Sequence, residues 1–285
     1  MTRSRATTIG FSAVLMWAIL AFLTIASAPV PPFLLSAMCF GIGGTIGLVW
    51  TAKGAGLGLL RTVPLKAYLL GTIGLFGYHA LYFTAFRLGP NASTGLIAYL
   101  WPLFIVLFSG LLPGEKLRAG HILGALIALS GAALIVLTGG EAGVSLIALA
   151  LAFLCALTWS GYSVISRHFG AVPTESVTVL CLATALLSLL AHLAVEQTQW
   201  PNGALGWAAV VVLGIGPVGA AFFTWDVGMK RGDIQLLGVA SYAAPLLSTL
   251  VLVLAGIAKP TWHLALATLL ITAGAALAAR ASAAR

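Results

Sequence analysis

A chain of 285 residues that is 61% hydrophobic and only 7% charged is not an ordinary soluble domain, which carries about a quarter charged residues. Water does not solvate so apolar a surface, so lipid covers most of it, and apolar runs of about 20 residues point to helices rather than barrel strands. The net charge of +8 is no sign of nucleic acid, because the 14 basic residues are scattered over short loops and make no patch that could follow a phosphate backbone.

Ten spans are predicted in chain order. Arg3 and Arg5 precede an apolar stretch from Ile9, and Ala26-Ser27-Ala28 resembles a signal-peptide cleavage site. The stretch exceeds the usual apolar core of roughly 7–15 residues, so it is expected to stay as the first span, near 8–27. Pro29, Pro31 and Pro32 separate it from a second span near 32–52, and no charge lies between Arg5 and Lys53. Further spans fall near 66–87, 91–112, 119–138, 144–166, 174–195, 205–229, 234–257 and 262–280. The connections are too short for a soluble domain. Cys39, Cys155 and Cys181 all lie in apolar runs without metal or disulfide spacing and are expected to be small apolar filler.

Charge predicts the orientation. With the N-terminus in the cytoplasm, that side holds Arg3, Arg5, Lys53, Arg61, Lys66, Lys116, Arg118, Arg167, Lys230, Arg231, Arg280 and Arg285, and the other side holds only Arg87 and Lys259. A missed or false span would scramble this division, so it supports the span count as well as a cytoplasmic location for both termini.

The chain repeats itself at an offset of 143. Gly71 pairs with Gly214, Gly89 with Gly232, Gly95 with Gly238, Tyr99 with Tyr242, Pro102 with Pro245, Lys116 with Lys259 and Gly131 with Gly274. Trp17 and Trp159 pair at 142. The unit is five spans, over 1–140 and 141–285. Five is odd, so the second unit enters the membrane from the opposite side and the two are related by a pseudo-two-fold axis in the membrane plane. The expected fold class is an all-α membrane protein of ten transmembrane helices in two inverted five-helix repeats.

Ten spans in a 5+5 arrangement, glycine-rich fifth and tenth spans, and a Gly-containing turn before a fourth span with Tyr99, Trp101 and Pro102 resemble the EamA-type drug/metabolite transporter superfamily. Within it the chain is most similar to the YddG-type exporters of aromatic amino acids. The resemblance implies a central cavity lined by spans one, three, four, six, eight and nine.

The residues at those places suit such a cavity. Pro102 and Pro245 lie inside spans four and nine, where each removes a backbone hydrogen bond; they act either as a symmetric pair of hinges or as static kinks. Pro90 and Pro217 are expected nearer helix starts. Span three carries Tyr78, His79, Tyr82, Phe83 and Phe86, and span four adds Tyr99 and Trp101. Spans one, six, eight and nine add Trp17; Trp159, Ser160 and Ser163; Trp225; and Ser241 and Tyr242. Buried indole and phenol groups need polar partners, so these residues either face a cavity suited to a planar apolar solute or bond to neighbouring helices.

His79 and Asp226 are the ionisable groups deepest in the membrane. His79 can bind a substrate carboxylate, relay a proton, or sit neutral against a helix. Asp226 can couple to transport or pair with Lys230 on the same helix face. No Lys or Arg lies in the middle of a span, which favours a neutral or zwitterionic solute over a phosphorylated one. No P-loop, metal-ligand spacing or cofactor motif is present. Gly120, Gly124, Ala128 and Ala132, and likewise Gly43 and Gly47, make small-residue faces expected to pack within the chain.

The expected function is export of amino acids, aromatic ones first and threonine or methionine also within reach, across the inner membrane by alternating access. The protein is expected to work as a monomer in the lipid bilayer, on a small-molecule substrate, with no cofactor and no nucleic acid. An exporter of drugs or amphipathic metabolites is the alternative. An intramembrane lipid-modifying enzyme is more remote, since it needs a catalytic pair such as His79 with a carboxylate at the same depth.

Overall fold

The computed structural model describes residues 1–89, 91–138 and 145–283. Regular structure among them is helical throughout. The helices are α1 (Arg3–Ala26), α2 (Pro32–Lys53), α3 (Leu65–Leu88), α4 (Ser93–Ser109), α5 (Ala119–Thr138), α6 (Leu146–His168), α7 (Thr174–Val195), α8 (Gly203–Arg231), α9 (Ile234–Leu254) and α10 (Trp262–Ala283). Nine of these are long and apolar enough to cross a bilayer, and α4 is the shorter one. The protein is a multi-pass membrane protein, and its helices satisfy their own backbone polar groups, as hydrocarbon requires. Large apolar side chains such as Leu186, Leu190 and Leu193 on α7 and Leu269 on α10 are exposed, as expected of a surface that meets lipid.

The helices pack as an inverted repeat demands. Helix α5 lies on α10, α2 on α7 and α4 on α9; α1 lies on α8 as α3 lies on α6. Exchanging the two halves maps every one of these pairs onto itself or onto another. Small residues set the close approaches. A Cβ on Gly124 would stand 2.6 Å from the Gly274 carbonyl oxygen, one on Gly43 2.6 Å from Gly219 Cα, and one on Gly10 2.7 Å from Gly228 Cα. The small-residue faces of α2 and α5 therefore meet helices of the same chain.

Irregularities repeat too. Widened π-helical turns occupy Ile73–Gly77 in α3 and Gly216–Ala220 in α8, at the sequence repeat's own offset (73 to 216). Helix α4 is broken between Asn91–Ala98 and Trp101–Ser109, and α9 between Ile234–Ala240 and Ala243–Leu254. The prolines explain the breaks but not as mid-helix kinks: Pro102 and Pro245 sit in the first turn of each second half-helix, where a missing N–H is tolerated. Pro217, expected near a helix start, instead lies inside α8 within the widened turn, which accommodates its missing donor. Pro90 lies outside the described residues, as does the expected junction between 140 and 141.

Both ends of the chain reach the same end of the bundle. Arg3 bonds Glu115 at 3.0 Å, Arg118 donates to the Ala281 carbonyl at 3.1 Å, and His121 Nε2 meets Ser282 Oγ at 3.2 Å. At the opposite end Glu196 accepts the Phe33 and Leu34 N–H groups at the start of α2 and pairs with Arg87 and His192. That one carboxylate ties α2, α3 and α7 together.

Candidate functional site: a central aromatic cavity

A cavity of about 220 Å³ lies between the halves. Its walls are Trp17, Leu20 and Ala21 of α1, Tyr78, His79 and Tyr82 of α3, Ala98, Tyr99 and Trp101 of α4, Trp159 of α6, Pro217, Val218 and Phe222 of α8, and Ala244 and Ser248 of α9. Among the described residues the lining includes no Asp, Glu, Lys or Arg.

The irregular turns orient two wall residues. A π-turn shifts the helical register and so re-aims the carbonyls within it. Trp17 Nε1 donates to the Pro217 carbonyl at 3.0 Å, and His79 Nδ1 lies 2.7 Å from the Leu75 carbonyl. Both carbonyls belong to the widened turns. A carbonyl only accepts, so Nδ1 of His79 carries the hydrogen, and Nε2 of the neutral ring is an acceptor. Phe40, Tyr78, Phe83 and Phe222 pack around the imidazole, with ring centroids 5.0 to 6.1 Å away.

Four tryptophans from α1, α4, α6 and α8 close one side of the cavity. Trp17, Trp101, Trp159 and Trp225 are mutual neighbours in all six pairings, with centroids 5.2 to 6.4 Å apart. Edge-to-face contacts dominate, as ring quadrupoles prefer. Trp225 is the floor: it is 1% exposed, is absent from the walls, and donates its N–H to Ser163 Oγ at 3.1 Å. Below it Met229, Ile105 and Leu237 are wholly buried, whereas Tyr78, His79, Tyr82 and Tyr99 are partly accessible. The cavity is therefore shut on the side of the chain ends.

A charged layer lies beyond that plug. Glu115 holds Arg3 at 3.0 Å and Arg167 at 2.5 Å, Arg167 also donates to the Met229 and Gly232 carbonyls, and Asp233 caps the start of α9 while lying 3.7 Å from Arg3.

Of the residues singled out by sequence, Trp17, Tyr78, His79, Tyr82, Tyr99, Trp101 and Trp159 come together on the wall. Ser160, Ser163, Trp225, Ser241 and Tyr242 do not. Ser160 Oγ and Ser241 Oγ bond back to the Ala156 and Leu237 carbonyls of their own helices, and Ser163 is the acceptor for Trp225. The Tyr242 hydroxyl accepts the Leu103 N–H at 3.1 Å. Asp226 also lies off the cavity. It pairs with Lys230 at 2.8 Å and accepts the Thr174 hydroxyl at 2.8 Å, so the carboxylate that a His79 catalytic pair requires is not beside the imidazole.

Phe222, Ala244 and Ser248 were not singled out by sequence. The repeat offset pointed to the first two, as partners of His79 and Trp101. Ser248 has no such signal.

The EamA-like transporter family is matched twice along the chain, over residues 5–137 and again over 146–280. The aromatic amino acid exporter YddG of Ancylobacter novellus is 55% identical over 98% of each chain. The exporter of the same name from Salmonella typhimurium is 28% identical, covering 87% of this chain and 88% of its own. A solved crystal structure matches with a TM-score of 0.92 at 53% identity, covering 97% of this chain and 98% of the other.

Proposed function

The chain belongs to the EamA-like transporter family, and from that premise we propose that it exports amino acids, aromatic ones foremost, across the inner membrane by alternating access. The observation that carries this reading is the cavity: aromatic walls from both halves, no charged side chain among the described residues, and a volume of about 220 Å³. Sites for drug-sized ligands run to roughly 300–1,000 Å³, so the space suits a single small metabolite better than a bulky drug. Among the described residues no carboxylate that could hold an organic cation lines the walls, which also weighs against a multidrug site. The two 55%- and 28%-identical relatives are both named as exporters of aromatic amino acids, which favours the same solute class here.

In this reading the described conformation opens on the outer side. Tyr78, His79, Tyr82, Tyr99, Trp101 and Trp159 contact solute, Trp17 and Phe222 complete the wall, and the breaks before Pro102 and Pro245 serve as hinges. Both termini are cytoplasmic, and one chain suffices for transport. His79 takes part through hydrogen bonding, and Asp226 acts only within its ion pair.

The test is transport of labelled phenylalanine, tryptophan and threonine in proteoliposomes of the purified protein. Saturable movement of phenylalanine or tryptophan, competed by the unlabelled amino acid, is the expected result. Failure of all three to move removes the amino-acid assignment.

A further inference from the structure

The four clustered tryptophans differ in where their N–H groups go. Trp17 and Trp225 give theirs to protein acceptors, the Pro217 carbonyl and Ser163 Oγ. Trp101 and Trp159 are 6% and 3% exposed, yet neither indole N–H has a partner among the described residues, and neither is among the buried polar atoms sealed off without one. Both side chains line the cavity, so the cavity is where these N–H groups are open. An indole nitrogen only donates. Both N–H groups are thus free to donate to whatever occupies the cavity, and the two rings meet nearly perpendicular with centroids 6.4 Å apart.

We propose that the Trp101 and Trp159 indole N–H groups form the carboxylate subsite of this cavity. The reasoning rests on the amino-acid reading above and refines it. The walls hold no Lys or Arg, so an anionic group can be met only by neutral donors. In a site with little water, a preoriented N–H is a strong partner for a carboxylate. The same walls offer the complementary group: His79, whose Nδ1 hydrogen is engaged by the Leu75 carbonyl, presents Nε2 as an acceptor for the ammonium. A zwitterion is therefore recognised at both poles by uncharged groups, with its side chain among the tyrosine rings.

The experiment is competition against labelled L-phenylalanine on the purified protein in lipid nanodiscs, using unlabelled L-phenylalanine, L-phenylalaninamide and phenethylamine. Wild-type protein is expected to prefer the acid to the amide and to the amine. Trp101→Phe and Trp159→Phe keep a ring and remove the N–H, and each is expected to cut the acid-to-amide preference by about tenfold, the worth of one hydrogen bond to a charged group. Trp225→Phe, whose N–H serves Ser163, is expected to leave that preference in place. The ratio is read within each variant, so a loss of active protein does not imitate the effect. Unchanged preference in both variants overturns the subsite and leaves the amino-acid reading standing. Equal binding of amide, amine and acid by wild-type protein overturns it as well. No binding of phenylalanine at all removes the reading beneath it.

Discussion

Trp17 and His79 sit on different helices but do the same thing: each hands a ring N–H to a carbonyl within a π-turn, at 3.0 and 2.7 Å. Position in the sequence marks both residues as polar groups far from the membrane surface, and such groups need partners. It does not say that the partners are backbone oxygens, because a π-turn depends on how α3 and α8 pack. Trp17→Phe and His79→Phe each remove a ring N–H from a backbone acceptor. Each is expected to destabilise the fold by about 1 kcal/mol, the usual net worth of a hydrogen bond. The shift is measured by thermal unfolding in detergent. Only His79→Phe also removes the acceptor facing the cavity, so it alone is expected to weaken phenylalanine binding by about tenfold.

Helices α4 and α9 carry the same Tyr-x-x-Pro motif, and their breaks fall at nearly matching places. The two tyrosines nevertheless have different surroundings. The Tyr242 hydroxyl is buried and takes the Leu103 N–H, replacing the Tyr99 carbonyl as its helical acceptor. Tyr99 lies on the cavity wall and makes no such bond to α9. Tyr242→Phe strands the Leu103 N–H and is expected to cost about 1–3 kcal/mol; Tyr99→Phe is expected to leave the melting temperature where it is. Unfolding curves of the two variants side by side decide the matter, and equal shifts would show that the motif acts symmetrically. Packing of α5 on α10 is equally specific. Gly124→Ala puts a Cβ 2.6 Å from the Gly274 carbonyl oxygen, which forces the helices apart and is expected to cost about 1–3 kcal/mol, again read from thermal unfolding. The small-residue pattern made these contacts legible in sequence, because only small residues allow such approach. The difference between Tyr99 and Tyr242 was not legible, since identical motifs diverge only once one conformation is chosen.

At the scale of the whole molecule the two ends are fastened differently. Glu115, Asp226 and Asp233 lie toward the end that bears the chain termini, and their repeat partners are Ala258, Phe83 and Pro90. The charged layer under the tryptophan floor thus has no counterpart from the repeat at the other end, where among the described residues Glu196 pairs with Arg87 and His192. Glu115→Gln weakens its bonds to Arg3 and Arg167 together. It is expected to raise labelling of a Met229→Cys reporter by a membrane-impermeant maleimide applied from the terminal side; unchanged labelling would mean that the indole plug closes this end unaided. Cysteines placed at the two chain ends are expected to react from one and the same face. By itself the sequence determined the membrane class, the ten spans, the five-span repeat and most of the aromatic wall. Apolar length, charge asymmetry and glycine spacing act locally along the chain and leave their imprint there. Only the tertiary structure decided that Trp225, Tyr242 and the serines lie behind the wall, that Asp226 turns to Lys230, and which indoles keep an N–H for the cavity. Those outcomes depend on how the helices rotate against one another and on where the two halves depart from symmetry, and a sequence repeat that makes the halves look alike does not reveal that.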